Sequence, residues 1–231
     1  MIPRTATFPP LDRRRALGAL ALALSLAAAI PADALDFSLA GAATRPTDLP
    51  AWLAPLLPAE GVEIAGSDGP LARFWIRSDL PATQPIPPTG ERGVQFGRFP
   101  IGALIGVVEL LADWSDYRTQ PIPAGRYTLR YGIQPANREH TGQTYFRDFL
   151  LLVPLDADSF DPEGDDLLSV VRESRRAGGA THPAVMALYQ IYEQVDTLRV
   201  MENDFGDPSL AVPLGDSVMG IVLEGQGQHV M

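Results

Sequence analysis

A proline or a glycine interrupts this chain about once every five residues, with 22 prolines and 21 glycines among 231. Proline fixes φ and lacks the backbone N–H, and glycine loses the most freedom on ordering, so each tends to end or bend a regular element. Here they fall between apolar runs, which marks short strands and turns rather than low complexity. No period of 20–50 residues repeats, which excludes solenoids and propellers. With 46% apolar residues, the chain has enough to bury a core.

The clearest strand is Gly125 to Ile133. Tyr127, Leu129, Tyr131 and Ile133 fall on one face and Arg126, Thr128 and Arg130 on the other, the period-two pattern of a half-buried antiparallel strand. Phe146 to Val153 ends in the run Phe149-Leu150-Leu151-Leu152-Val153, which suits a central strand buried on both faces. Further strands are expected at Val62–Ala65, Leu71–Arg77, Ala103–Leu110, Leu198–Met201 and Val218–Leu223. Three short helices are expected. One covers Thr47–Leu57, although Pro50 and Pro55 limit it. A second covers Leu167–Arg176, capped by Asp165 or Asp166 and stopped at Gly178-Gly179, with Leu167, Leu168 and Val171 on one face. The third covers Ala184–Ile191, opened by Pro183. The fold class that follows is mainly β: an antiparallel β-sandwich with a helical insertion near 165–191 and a short helix near 47–57.

Residues 1–34 read as an export signal that is removed, and residues 35–231 as a single domain. Arg4 and Arg13-Arg14-Arg15 precede fifteen uncharged residues, Ala16 to Ile30, and Ala32-Asp33-Ala34 offers a cleavage site before Leu35. The adjacent arginines resemble those of a twin-arginine signal. Fifteen helical residues rise only ~22 Å against a hydrocarbon core of ~30 Å, too little to span it. The mature protein is therefore expected in the periplasm or medium without a transmembrane anchor.

Composition removes whole chemistries. All eighteen positive charges are arginines and there is no cysteine, so a Schiff-base lysine, a Walker lysine, a thiol nucleophile and cysteine-held clusters are excluded. A net charge of −10 argues against nucleic acid as partner.

The string Ile122-Pro123-Ala124-Gly125-Arg126-Tyr127-Thr128-Leu129-Arg130-Tyr131-Gly132 resembles a Pro-x-Gly-x-Tyr-x-Leu hairpin of exported bacterial β-sandwich modules. With Tyr145-Phe146-Arg147-Asp148-Phe149-Leu150-Leu151 and Thr181-His182-Pro183 it is similar, over about residues 95–190, to a family of uncharacterised secreted bacterial proteins. The resemblance implies a sandwich fold and carries over no catalytic residue.

The candidate polar site gathers His140, Tyr145, Arg147, Asp148 and His182. The loop Gln134 to Thr144, which holds Glu139 and His140, joins two scaffold strands, where sites are commonly built. His182 is expected at a helix start, whose positive end disfavours a protonated imidazole. His140 and His182 with a carboxylate are a ligand set for zinc, copper or non-haem iron, although their separation matches no metal signature. The third histidine, His229, falls in the tail. The acidic run 156–166 offers Asp156, Asp158 and Asp161 to calcium. It departs from an EF-hand loop at Phe160, Asp161 and Leu167, and a solvated loop leading to a helix cap is the plainer expectation. Ala65-Gly66-Ser67-Asp68-Gly69 suits a hairpin turn better than a nucleophile elbow. Trp52, Trp75, Trp114 and Tyr117 are candidates for a sugar platform, with Trp75 expected in the core and Trp114 exposed. Three functions remain open: a binding or accessory module for an unknown small molecule, a metal-dependent protein using His140 and His182, and a structural partner within an envelope complex.

Overall fold

The computed structural model describes residues 36–80, 93–116, 118–135, 146–179 and 182–223. Among the described residues twelve strands are formed: β1 Ser38–Thr44, β2 Glu60–Gly66, β3 Gly69–Ile76, β4 Leu104–Leu110, β5 Trp114–Ser115, β6 Pro121–Ile122, β7 Gly125–Ile133, β8 Asp148–Pro154, β9 Val185–Ile191, β10 Arg199–Glu202, β11 Pro208–Pro213 and β12 Val218–Val222. The single α-helix among the described residues, α1, is Leu167–Gly178. Ten strands join in one antiparallel sheet, in the order β1-β2-β3-β4-β7-β8-β9-β12-β11-β10, and β5 pairs with β6 apart from it. The two end strands, β1 and β10, approach each other, so the sheet is nearly closed into a barrel. Near-closure leaves little unpaired edge.

The period-two pattern of β7 is reproduced side chain by side chain. Tyr127, Leu129 and Tyr131 belong to the interior cluster together with Leu150 and Leu152 of β8, as expected. The alternate residues of β8, Phe149, Leu151 and Val153, face outward and are buried against α1 by Val170, with Leu167 and Val171 beside them. An uninterrupted apolar strand is thus buried on both faces. The turn between β2 and β3 is Ser67-Asp68, closed by Gly66 opposite Gly69, which gives the serine a turn role.

Two expectations are corrected. Ala184–Ile191 is not a helix but β9. Val185, Ala187 and Tyr189 pack with the outer cluster and Met186 and Leu188 with the inner one, and a seven-residue run apolar on both sides fits a central strand. Thr47–Leu57 forms only a 3₁₀ turn at Ala54–Leu56. Its Leu49, Leu53 and Leu57 cap the outer face of β3 and β4 at Trp75 and Val107, so burial rather than helicity holds the segment. In α1 the buried residues are Val170, Ser174 and Ala177, while Leu168 is 76% exposed. The helix limits agree with expectation: Asp166 accepts a hydrogen bond from Ser169 N–H at 3.0 Å, and Gly179 closes the end at φ 61°.

The acidic run is the solvated loop expected, leading to the cap at Asp166, with one exception: Asp156, Asp161, Glu163, Asp165 and Asp166 are exposed, whereas Asp158 is buried. Thr128 and Arg130, on the outward face of β7, are fully buried beneath it. Arg130 donates through Nε and Nη2 to both oxygens of Asp158, at 2.7 Å each. Its remaining N–H groups reach the carbonyls of Gly102, Asp161 and Phe160 at 2.7, 2.8 and 3.0 Å. Thr128 also donates to Asp158. A guanidinium without solvent must have a counter-ion and filled donors, and the run supplies them.

Candidate binding site

The sequence-derived polar site divides across the sheet. His140 and Tyr145, with Glu139, lie outside the described residues, as do His229 and Tyr117. Arg147 ties the ends of β7 and β8 together: its Nε donates to the Gln134 carbonyl at 2.7 Å, and its own carbonyl accepts from Gln134 N–H. Asp148 is 1% exposed and points into the barrel. Its carboxylate accepts from Gln95 N–H (2.8 Å), Phe96 N–H (2.9 Å) and the Tyr131 hydroxyl (2.7 Å). Burial pushes the Asp148 carboxyl up from its ordinary range, and these hydrogen bonds oppose that rise. The carboxylate fastens the segment before β4 across one end of the barrel. His182 is exposed on the other side of the sheet, in the connection from α1 to β9. Asp148 and His182 are therefore not brought together. The helix start invoked for His182 does not exist, because the chain enters a strand there.

Of the calcium candidates, Asp158 is committed to Arg130, and Asp161 accepts from Glu163 N–H at 2.9 Å. Among the described residues, no three His, Asp or Glu side chains come together in a metal-holding group. The aromatic platform is not assembled either. Trp75 is buried, its indole donating to the Ala43 carbonyl at 3.0 Å. Trp52 packs against the cluster around Trp75. Trp114, expected to be exposed, is half-buried against Phe37 and the interior cluster.

What the structure does assemble is a cavity of about 300 Å³ on the outer face, between α1 and the sheet. Its floor is apolar: Phe149 and Leu151 of β8 and Val185 of β9, with Ile133 at the end of β7 on its edge. Leu167, Leu168 and Val171 of α1 form the facing wall. Gly132, which follows Arg130 in the outward row of β7, also lines the cavity, and its missing side chain lets Leu151 and Leu167 pack close to the strand. A Cβ at Gly132 would lie 2.9 Å from Leu151 Cδ1 and 3.5 Å from Leu167 Cδ1. Polar groups sit around it: Arg118 from the turn between β5 and β6, Arg175 from the last turn of α1, His182, and Gln134 just after β7. No carboxylate lines the cavity among the described residues.

Asp116 lies close by in the same turn as Arg118 and is 2% exposed. Its Oδ1 accepts from the N–H groups of Arg118 (2.9 Å) and Gln120 (3.0 Å), while Oδ2 has no partner among the described residues. Burial raises its pKa above the ordinary range, against the pull of those hydrogen bonds and of the nearby charges of Arg118 and His182.

The sequence singled out His182 of this group but for another site. Gly132, which breaks the outward row of β7, and Leu168, an apolar residue on the open side of α1, were the signals for the cavity. Compared with family models, with curated proteins and with solved structures, the chain finds no match in any of the three.

Proposed function

We propose that this chain is an exported, periplasmic or secreted module that binds a small apolar molecule in the cavity under α1. The observation that carries the reading is that cavity: about 300 Å³, apolar on floor and wall, with a few polar groups at its margin. Binding sites for small molecules have this make-up, and their volumes begin at about this size. At about 30 Å³ per water-sized group, it holds a ligand of about ten such groups. A fully buried polar network at Arg130 and Asp158 holds the neighbouring part of the scaffold rigid.

Export rests on the charged flank, the fifteen-residue apolar stretch and the Ala32-Asp33-Ala34 site. Intact mass of the secreted protein tests it: a chain beginning at Leu35 supports export with cleavage, and one beginning at Met1 contradicts it. The sandwich reading stays part of this proposal, supported by an interior cluster to which strands from both halves of the sheet contribute.

Calorimetric titration with octanol tests the binding reading. An affinity in the micromolar to millimolar range is expected for a ligand of about ten atoms. Val171→Phe, which fills the cavity from α1, is expected to remove the binding. No heat of binding from the folded protein would refute the reading.

A further inference from the structure

Resting on the reading of this cavity as a ligand site, we propose that its ligand is an anionic amphiphile, a short apolar body carrying a carboxylate headgroup. The charge distribution supports it. Acids outnumber arginines 28 to 18 in the chain, yet the described lining of the cavity holds two arginines and a histidine and no acid. The three arginines of α1 divide clearly. Arg172 and Arg176 are both paired with Glu173, at 3.2 and 2.8 Å. Arg175 makes no ion pair among the described residues and lines the cavity instead. His182 faces the same space and presents a ring N–H in either charge state. A guanidinium binds a carboxylate through two parallel hydrogen bonds, and beside an apolar wall that contact loses less to water than it would in the open. Asp116 offsets part of the positive field at Arg118 and His182, which leaves Arg175 as the principal anchor for the head.

An uncharged ligand would leave Arg175 solvated and gain only from the apolar floor. Octanoate and octanol, which share their chain and differ in the head, separate the two contributions. In titrations of the folded protein at low salt, octanoate is expected to bind about tenfold more tightly than octanol, the size of one charge-assisted hydrogen bond. Arg175→Gln is expected to weaken octanoate about tenfold and octanol by a much smaller factor, which erases most of that preference. His182→Gln is expected to reduce it by a smaller factor. Raising the salt is expected to weaken octanoate alone. Arg175 is exposed, so its replacement is expected to leave the fold intact, which a thermal melt checks.

If wild type and Arg175→Gln bind octanol and octanoate equally, the anionic inference falls while the cavity reading stands. If neither ligand binds, the cavity reading itself falls. Octanoate binding that survives Val171→Phe undiminished places the carboxylate elsewhere and overturns the proposal.

Discussion

Arg130 lies on the outer face of the sheet and Arg175 on the helix packed against that face, and their surroundings could hardly differ more. Arg130 is wholly buried, with all its donors filled by Asp158 and three carbonyls. Arg175 is exposed at the margin of an apolar cavity and makes no ion pair among the described residues. The first pattern is that of a structural charge, closed against any further ligand. The second leaves both charge and apolar surface available, which is what recognition requires. Between them along the outward row of β7 stands Gly132, which lines the cavity.

The largest effect that separates the two arginines is on stability. Arg130→Met alone is expected to cost about 3–5 kcal/mol in urea unfolding, because it strands Asp158 in the interior. The double variant Arg130→Met, Asp158→Leu is expected to recover much of that loss. Recovery no better than the single variant would show that the backbone carbonyls, rather than the ion pair, carry the region. Arg175→Gln is expected to stay within about 0.5 kcal/mol of wild type.

A comparison of leucines follows the same line. Leu150, fully buried in the interior, is expected to lose ~2–5 kcal/mol on truncation to Ala. Leu168, largely exposed, is expected to lose less than about 0.5 kcal/mol by the same measurement. A loss at Leu168 as large as that at Leu150 would mean that α1 packs more closely than described and that the cavity is closed.

The smallest effect concerns pH. Burial holds the Asp116 carboxyl above its ordinary range near 3.8. The folded chain therefore keeps that proton more firmly than the unfolded chain does. Its contribution is present below the unfolded pKa and is lost as pH rises through the folded one. Asp116→Asn keeps an oxygen that can accept from the Arg118 and Gln120 N–H groups and removes the titration. The variant is expected to lie within about 1 kcal/mol of wild type, with a shallower fall in stability over the pH range just above 3.8. An unchanged slope would assign the fall to Asp148, which burial shifts in the same direction.

The scaffold was legible in the sequence wherever one face of a strand differs from the other. Tyr127, Leu129 and Tyr131 announced β7 by alternation, and Asp166 and Gly179 marked the limits of α1. Where both faces are buried the alternation vanishes, so Ala184–Ile191 gave the same apolar string that a helix would. β1, the small-residue strand Ser-Leu-Ala-Gly-Ala-Ala-Thr, is exposed at nearly every position and offered no pattern to find. β11 lies between two prolines that read as breaks. Within the acidic run the burial of Asp158 was not legible, because its partner Arg130 lies 28 residues away and spacing along the chain carries no trace of that pairing. For the same reason Asp148 and Arg147, neighbours in sequence, were placed in one site with His182 although Asp148 and His182 occupy opposite faces of the sheet.

The distinction between a sealed inner face and an open outer one is tested most directly by methyl NMR during titration with octanoate. Leu151, Leu167, Val171 and Val185, around the cavity, are expected to shift together with a single dissociation constant. Leu129, Leu150 and Leu152, in the interior, are expected to stay in place. Saturating shifts confined to the interior leucines, or no saturable shift at the cavity methyls, would contradict the account.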